Sequence, residues 1–364
     1  MSTFRSGVRA DDIERDYTDG RRKASGEYNR AVPEPLVSVV IASDRVQESL
    51  PDCLASLAAQ EDAPGFEVLV ASGAPPGAVP GDSFAMRWTE VADRNPARRR
   101  NRAAREARGL FLAFLDDDAA AEPAWLSTGV RALERCGIVG GPDLPPAGAP
   151  YGERIADLLL ATRWIGSGVP AHERRPRAGP IRSAHDVALC NLFVKREVFE
   201  SLGGFDETFG YIGEDTDFVR RARERGIAVL LDPALRVRHR RRSFPGAYLA
   251  QRWRYRVKTG RLLVERPGLH ARGRIAAFLA VGFTVTAGAA LFGRSFLVPA
   301  LVAYALTTWT LSFPIWSRDP ALFPAVPFAF ALHHATYFGG LLVGLTRGVL
   351  GRIRPRSRAA AAAR

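Results

Sequence analysis

Beyond residue 274 the chain changes character. Ile275–Gly293 carries no charge, Arg294 interrupts, and Phe296–Trp316 is again uncharged; after Arg318 and Asp319 comes a third apolar stretch, Ala321–Leu345. Each is about as long as a helix that crosses the hydrocarbon core of a bilayer. In that medium backbone amides must be satisfied internally, which leaves such stretches the helix. A soluble domain can bury one apolar helix in its core. Three in series, with Asp319 the single acid among them, point instead to a membrane segment over 274–346. Basic sequence flanks it on both sides, including "RGVLGRIRPRSR" in the tail 347–364, and both flanks favour the cytoplasm. An even number of crossings satisfies them. The third stretch holds Pro324, Pro327, His333 and His334, so it is the one expected to be broken, re-entrant or interfacial.

Upstream, apolar strands alternate with amphipathic helices. "LVSVVIAS" (36–43) reads as a buried strand and Gln47–Gln60 as a helix with Leu50, Leu54 and Leu57 on one face. "FEVLVAS" (66–72) and "FAMRWTEV" (84–91) read as strands, Asn95–Arg108 as a basic helix, and "GLFLAFLD" (109–116) as a fourth strand. This alternation predicts a mostly parallel sheet covered on both faces. Ligands then bind outside the carboxyl ends of the strands. The expected organisation is a polar, flexible segment 1–35 with no secretory signal, an α/β domain 36–245, a basic interfacial helix 246–273, the membrane segment and the basic tail.

Lys and Arg exceed Asp and Glu by 51 to 38, a formal charge of +13, which favours anionic partners. Arginine clusters at 98–108, 220–225 and 236–261. No nucleic-acid motif accompanies that charge, so phosphate-bearing small molecules and anionic lipid are the expected partners and nucleic acid is not. Cys53, Cys136 and Cys190 show no CxxC or Cys/His spacing and are expected to be reduced core or site-wall residues.

Three groups of residues carry the chemistry. Asp116, Asp117 and Asp118 end the fourth strand, where like charges repel unless a cation compensates them. One Asp would serve as a helix cap, but Ala119–Ala121 separates the cluster from the helix expected near Glu122–Pro123. A D-x-D pair after a buried strand can share Mg²⁺ or Mn²⁺ with a diphosphate. In "GGFDETFGYIGEDTDFVRRARERG" (203–226), Glu214 and Asp215 open a helix. There they suit the helix dipole, and one of them also suits a general base for an acceptor hydroxyl. His239 closes the strand "ALRVRH", where it is either a surface residue or a third metal or diphosphate ligand. Gln251, Arg252 and Trp253 follow on a basic, aromatic-bearing helix that can also meet anionic headgroups.

In this order these pieces resemble the membrane-associated family 2 glycosyltransferases of the GT-A fold, of the bacterial exopolysaccharide type. The resemblance runs from about Val37 to Gln251 through "VSVVIAS", "SLPDCLASLAAQ", "RNRAAREARGLFLAFLDDDAAAEPAWL", "NLFVKREVFESLGGFDETFGYIGEDTDFVRRARERG" and "VRH". It implies a GT-A domain followed by transmembrane helices, and Asp116 and Asp118 as the D-x-D pair, with Asp118 the more direct metal ligand. It further implies Asp215, beside Glu214, as catalytic base and His239 as a metal or diphosphate contact. The implied donor-binding set is Ala42, Ser43, Asp44, Ser72, Arg100, Asn101, Asp116 and Asp117, of which Asp117 is expected to point away. Asn191, Arg240, Gln251, Arg252 and Trp253 form the implied acceptor and diphosphate set. The implied partners are a nucleotide-sugar donor, a lipid-linked or glycan acceptor and membrane lipid. The implied location is the cytoplasmic membrane, multi-pass, with the catalytic domain in the cytosol.

The chain departs from the family pattern in two places. Ala42-Ser43-Asp44-Arg45 stands where the family carries Pro, then Thr or Ala, then Tyr or Asn, and Ser72-Gly73 replaces the usual acid after the second strand. The nucleobase pocket is therefore atypical. Two other functions fit the sequence less well. A nucleotidyltransferase needs a glycine-rich basic loop after the first strand, and "IASDRVQES" offers none. A non-catalytic membrane scaffold has no use for Asp116, Asp118 and Asp215 together.

Overall fold

The computed structural model describes residues 35–353 apart from 45, 47, 77–83, 163–164, 167–168, 174–175, 211, 267 and 269–271. The segment expected to be flexible up to residue 34, and the tail beyond 353, lie outside the described residues. Two compact units form: one holds the chain up to Asp143 and from residue 175 to Arg238, the other residues 144–174 and the chain from His239 onward.

The first unit is built from β1 (Val37–Ser43), α1 (Leu50–Ala58), β2 (Phe66–Ser72), β3 (Ala85–Glu90), α2 (Pro96–Glu106), β4 (Phe111–Asp116), β5 (Ala119–Ala121), α3 (Trp125–Leu133), β6 (Ile138–Gly140) and the start of β7 (Asp143–Leu144). After the excursion that contains α4 (Tyr151–Ala161), it resumes with β8 (Gly179–Pro180), β9 (Asn191–Lys195), α5 (Arg196–Ser201), α6 (Glu214–Glu224), β10 (Val229–Leu231) and β11 (Val237–His239). The main sheet has eight strands in the order β3-β2-β1-β4-β9-β6-β10-β8, and a small sheet has the order β5-β11-β7.

The four strands read from sequence, β1 to β4, are indeed mutually parallel. β9 is the departure: it runs antiparallel to β4, with Asn191 opposite Leu115, so it begins where β4 ends. Alternation along the strands divides the core between the two faces. Val40, Leu69, Leu112 and Phe114 pack with α2, α5 and α6, whereas Val39, Ile41, Val68, Val70, Ala113 and Leu115 pack with α1 and α3. The helix expected over 47–60 starts at Leu50, with Pro51 in its first turn, where no amide hydrogen is needed. Ala119–Ala121, read from sequence as a spacer, is a strand.

The second unit contains α4, α7 (Gly246–Glu265), α8 (Arg272–Phe292), α9 (Arg294–Trp316), a 3-10 turn at Pro320–Ala325 and α10 (Val326–Ile353). Its core joins Ile155, Leu158 and Leu159 of α4 to Tyr248, Leu322, Val326, Ala329 and Phe330. The third apolar stretch is less broken than its prolines suggest. Pro324 lies in the 3-10 turn and Pro327 in the first turn of α10, where proline is tolerated, and the remaining helix is continuous. α9 and the segment Pro320–Ile353 are long and apolar enough to cross a membrane.

α10 also packs along α7 through glycines. A Cβ on Gly344 would lie 2.2 Å from the Val257 carbonyl oxygen, one on Gly340 2.8 Å from Arg256 Cβ, and one on Gly348 2.9 Å from Val264 Cβ. The Gly340-x₃-Gly344-x₃-Gly348 repeat thus lets the two helix backbones approach closely.

Candidate functional site

The parallel strands end side by side. Ala42 lies opposite Asp116, and Ser43 opposite Ser72. The three aspartates begin at this edge and then separate. Asp116 closes β4 half-buried; Asp117 is buried and accepts a hydrogen bond from the Ser43 hydroxyl at 2.5 Å; Asp118 is half-buried. Asp117 therefore turns back toward β1. Carboxylate oxygens of Asp116 and Asp118 lie within 4.8 Å of each other, close enough to be drawn onto one ion. An all-oxygen carboxylate pair suits Mg²⁺ or Mn²⁺ and fits the expected metal.

Arg100 joins this cluster to the second acidic group. It is buried on α2, donates from Nη2 to Asp116 Oδ1 at 2.7 Å, and from Nη1 to Glu214 Oε1 at 3.2 Å. Asn95 caps α2 by accepting from the Ala97 and Arg98 amides, with Pro96 in the first turn, and this fixes the phase that turns Arg99 and Arg100 inward. Glu214 opens α6 directly after Gly213, whose φ of 101° is a left-handed conformation that glycine adopts without strain. Burial, then the neighbouring Asp215 charge, pushes the Glu214 carboxyl up to about 7, with Arg100 opposing. Burial alone would lower the Arg100 guanidinium, but Asp116 and Glu214 hold it above its ordinary value. Asp215 is half-buried, and its Oδ1 accepts from the Thr216 amide at 2.6 Å.

The raised Glu214 pKa has a stability consequence. Between about pH 4.5 and about pH 7 the folded chain keeps a proton that the unfolded chain loses, so stability falls as pH rises through that window. The full swing is about 3 kcal/mol. Glu214→Gln should flatten the decline of the thermal midpoint between pH 5 and pH 8 measured on the wild type.

Beside the carboxylates, at the ends of β1 and β2, Arg99 is buried and donates to the Ser43 carbonyl at 2.6 Å, to the Val91 carbonyl at 3.3 Å and to Asp44. The Ser72 hydroxyl donates to the Ala74 carbonyl at 2.5 Å and accepts from Trp88 Nε1 at 2.9 Å. Ala42 is half-buried and Asp44 exposed. Arg99 and Trp88 were not singled out from sequence, whereas Cys53, whose Sγ lies 3.6 Å from the Asp116 carbonyl oxygen, was read there as a core or site-wall residue. Helical phase was the available signal for Arg99: positions 99, 100, 103 and 104 of α2 are buried, while Arg98, Arg102 and Arg105 face outward.

Two asparagines are engaged away from the carboxylates. Asn101 clasps the 204–207 loop, accepting from the Phe205 amide at 2.9 Å and donating to the Phe205 carbonyl at 2.8 Å and Glu207 Oε1 at 3.1 Å. A Cβ on Gly204 would sit 2.7 Å from its Oδ1, so the clasp requires glycine there. Asn191 is fully buried, accepts from Trp125 Nε1 at 2.8 Å, and donates to the Leu235 carbonyl at 2.7 Å and the Pro142 carbonyl at 3.3 Å. The first unit thus brings together Asp116, Asp118, Arg100 and Glu214, with Asp215 next in sequence. His239, Arg240, Gln251, Arg252 and Trp253 belong to the second unit.

A family model described as glycosyl transferase family group 2 matches residues 111–343. The chain is 29% identical over 224 residues to the O-antigen biosynthesis protein RfbC of Myxococcus xanthus, covering 56% of this chain and 17% of that protein. It is 35% identical over 196 residues to the succinoglycan biosynthesis protein ExoM of Rhizobium meliloti (strain 1021), covering 50% of this chain and 59% of that protein. In both cases it spans less than two thirds of the relative. Among solved structures, the mannosyltransferase PcManGT from Pyrobaculum calidifontis, in complex with GDP-Man and Mn²⁺, is 20% identical with a TM-score of 0.47, covering 93% of this chain and 95% of that one. S. aureus TarS 1-349 in complex with UDP is 14% identical with a TM-score of 0.42, covering 86% of this chain and 91% of that one.

Proposed function

We infer that this chain, which belongs to glycosyl transferase family group 2, is an inverting glycosyltransferase that takes a sugar from a nucleotide-diphosphate donor. The acceptor is a lipid-linked or polysaccharide glycan at the cytoplasmic face of a membrane. One observation carries the reading: Arg100 ties Asp116, at the end of β4, to Glu214, at the start of α6. Asp116, of the carboxylate pair read as metal-binding, and Glu214, the neighbour of the candidate base Asp215, were read separately from sequence and share one cation. The names of the two relatives, for O-antigen and succinoglycan biosynthesis, support a glycan-building role.

Asp116 and Asp118 hold the divalent ion, which supplies positive charge to the leaving diphosphate. His239 joins them, as the sequence pattern implies. Asp215 accepts the proton of the acceptor hydroxyl as that oxygen attacks the anomeric carbon. Glu214, held by Arg100, orients the helix end that presents Asp215. Ser43, Asp44, Ser72 and Arg99 border the donor, while Asp117 fixes the turn after β4 through Ser43. Gln251, Arg252 and Trp253 serve the acceptor.

Release of nucleoside diphosphate from a panel of sugar donors, with and without EDTA, tests the reading. One donor should be turned over, EDTA should stop the reaction and Mn²⁺ should restore it. Asp118→Asn should raise the half-saturating Mn²⁺ concentration at least about tenfold. Turnover of nucleotide triphosphates, and of no sugar donor, would favour nucleotidyl transfer instead.

The membrane arrangement has a similar test. Only 11% of the apolar window of α9 is buried, against 33% for Pro320–Ile353. A helix packed along α7, with Arg252, Arg256 and Lys258, is poorly suited to a bilayer centre. The proposed topology has α8 and α9 as two crossings, joined near Gly293, and α10 at the cytoplasmic surface with α7. The three native cysteines are buried. A cysteine at Arg294 should therefore react with an impermeant thiol reagent in intact cells, and one at Ile353 only after lysis. The opposite pattern, or reaction of both in intact cells, contradicts this topology.

A further inference from the structure

In the second unit Arg252 and Arg256 are half-buried on α7. Arg241 pairs with Asp157 at 3.3 Å, both nearly inaccessible. Arg252 and Arg256, one helical turn apart on α7, have no carboxylate within ion-pair distance among the described residues. Arg261, farther along the same helix and exposed, has its acid, Glu265, at 2.5 Å.

Aromatic and imidazole rings link the two guanidiniums. Arg252 lies 5.5 Å from the Tyr248 ring centre and Arg256 3.8 Å from that of Tyr337. The Tyr248 hydroxyl meets His333 Nδ1 at 2.9 Å, and the His333 and Tyr337 rings are 6.4 Å apart. Arg252, Tyr248, His333, Tyr337 and Arg256 therefore close a ring between α7 and α10.

Three buried nitrogens in this ring have no hydrogen-bond partner: Arg252 Nε, Arg256 Nε and His333 Nε2. A guanidinium Nε is always a donor, and His333 Nε2 becomes one when Nδ1 accepts from Tyr248. Buried polar atoms are ordinarily satisfied, and a set that lacks only acceptors matches a group that offers only acceptors. Burial pulls the Arg256 guanidinium below its ordinary value; Tyr337 opposes the shift and the Arg252 charge adds to it.

We propose that Arg252, Arg256 and His333, braced by Tyr248 and Tyr337, form a binding site for a phosphate oxyanion, carried by a lipid phosphate or by a free phosphate. Arginine pairs are suited to phosphate through charge-assisted hydrogen bonds in a fixed fork. The site deepens the glycosyltransferase reading and rests on it only in naming the lipid phosphate as part of the acceptor.

The test uses the purified full chain in detergent micelles, titrated with farnesyl phosphate, inorganic phosphate and farnesol. The thermal midpoint and tryptophan emission report binding, since Trp253 adjoins Arg252. Farnesyl phosphate should bind saturably and farnesol should not. Arg252→Gln and Arg256→Gln should each weaken binding by roughly tenfold, and Arg261→Gln should not. Tighter binding of farnesyl phosphate than of inorganic phosphate identifies a lipid site, whereas equal binding with the same arginine dependence identifies a free-phosphate site. Farnesol binding equal to farnesyl phosphate, or binding indifferent to both Gln variants, overturns the proposal.

Should the variants fail to fold, phenylglyoxal footprinting of the wild type replaces them. Farnesyl phosphate or phosphate should protect Arg252 and Arg256 but not Arg261, and uniform modification overturns the site. Mn²⁺-dependent donor binding is measured on the same samples. Donor binding without phosphate binding defeats this site alone. Phosphate binding without donor binding defeats the glycosyltransferase reading and leaves the site standing.

Discussion

Asp215→Asn should reduce sugar transfer by about 10²- to 10⁴-fold, the range for loss of a positioned general base, while Mn²⁺-dependent donor binding persists. The asparagine keeps the shape of the side chain and its acceptor oxygen for the Thr216 amide, so α6 should still start at the same place. Glu214→Gln separates the two adjacent acids. Glu214 is buried and held by Arg100, and reaches an acceptor less readily than half-buried Asp215. Its amide variant should lose much less activity. If Glu214→Gln were the silent-turnover variant and Asp215→Asn nearly wild type, the base would be Glu214. Initial rates at saturating donor, with donor Kd measured separately, distinguish these outcomes.

Arg100→Met should be the most damaging change to both fold and activity. The methionine approximates the aliphatic volume but leaves Asp116 and buried Glu214 facing each other without their shared cation. Removing one partner of a buried ion pair typically destabilises by about 3–5 kcal/mol, because the remaining charge stays buried. Protonation can relieve that cost, so the variant should be most stable at acidic pH and lose stability more steeply than the wild type toward pH 8. Arg100→Lys keeps the charge but loses the fork that reaches both acids, and should lie between the two. Thermal midpoints of the three proteins at pH 5 and pH 8 provide the measurement.

The sequence made the central sheet and its ligand-binding edge readable because β1, β2 and β4 are apolar runs that stop at Ser43, Ser72 and Asp116. Glu214 and Asp215 were readable for a related reason, since glycine followed by acids marks a helix start. The link between the two acidic groups was not readable. Arg98, Arg99, Arg100, Arg102 and Arg105 look alike in the string, and the Arg100–Glu214 pair joins residues 114 positions apart. The fates of Asn101 and Asn191 were hidden for the same reason, since their partners come from distant loops. β5 was missed because three alanines carry little strand preference and pair only through tertiary context. For α10 a signal was present: the glycine repeat Gly340, Gly344, Gly348 lies in plain view, but its partner α7 reads as an ordinary basic helix until the two are packed together.

The central claim is that Asp215 drives a single in-line displacement at the anomeric carbon. Its most direct test is the anomeric configuration of the product, read by proton NMR with the donor that the panel selects. A single displacement predicts an inverted linkage whose formation disappears with Asp215→Asn. A retained linkage, or an inverted one formed at the same rate without Asp215, contradicts the account.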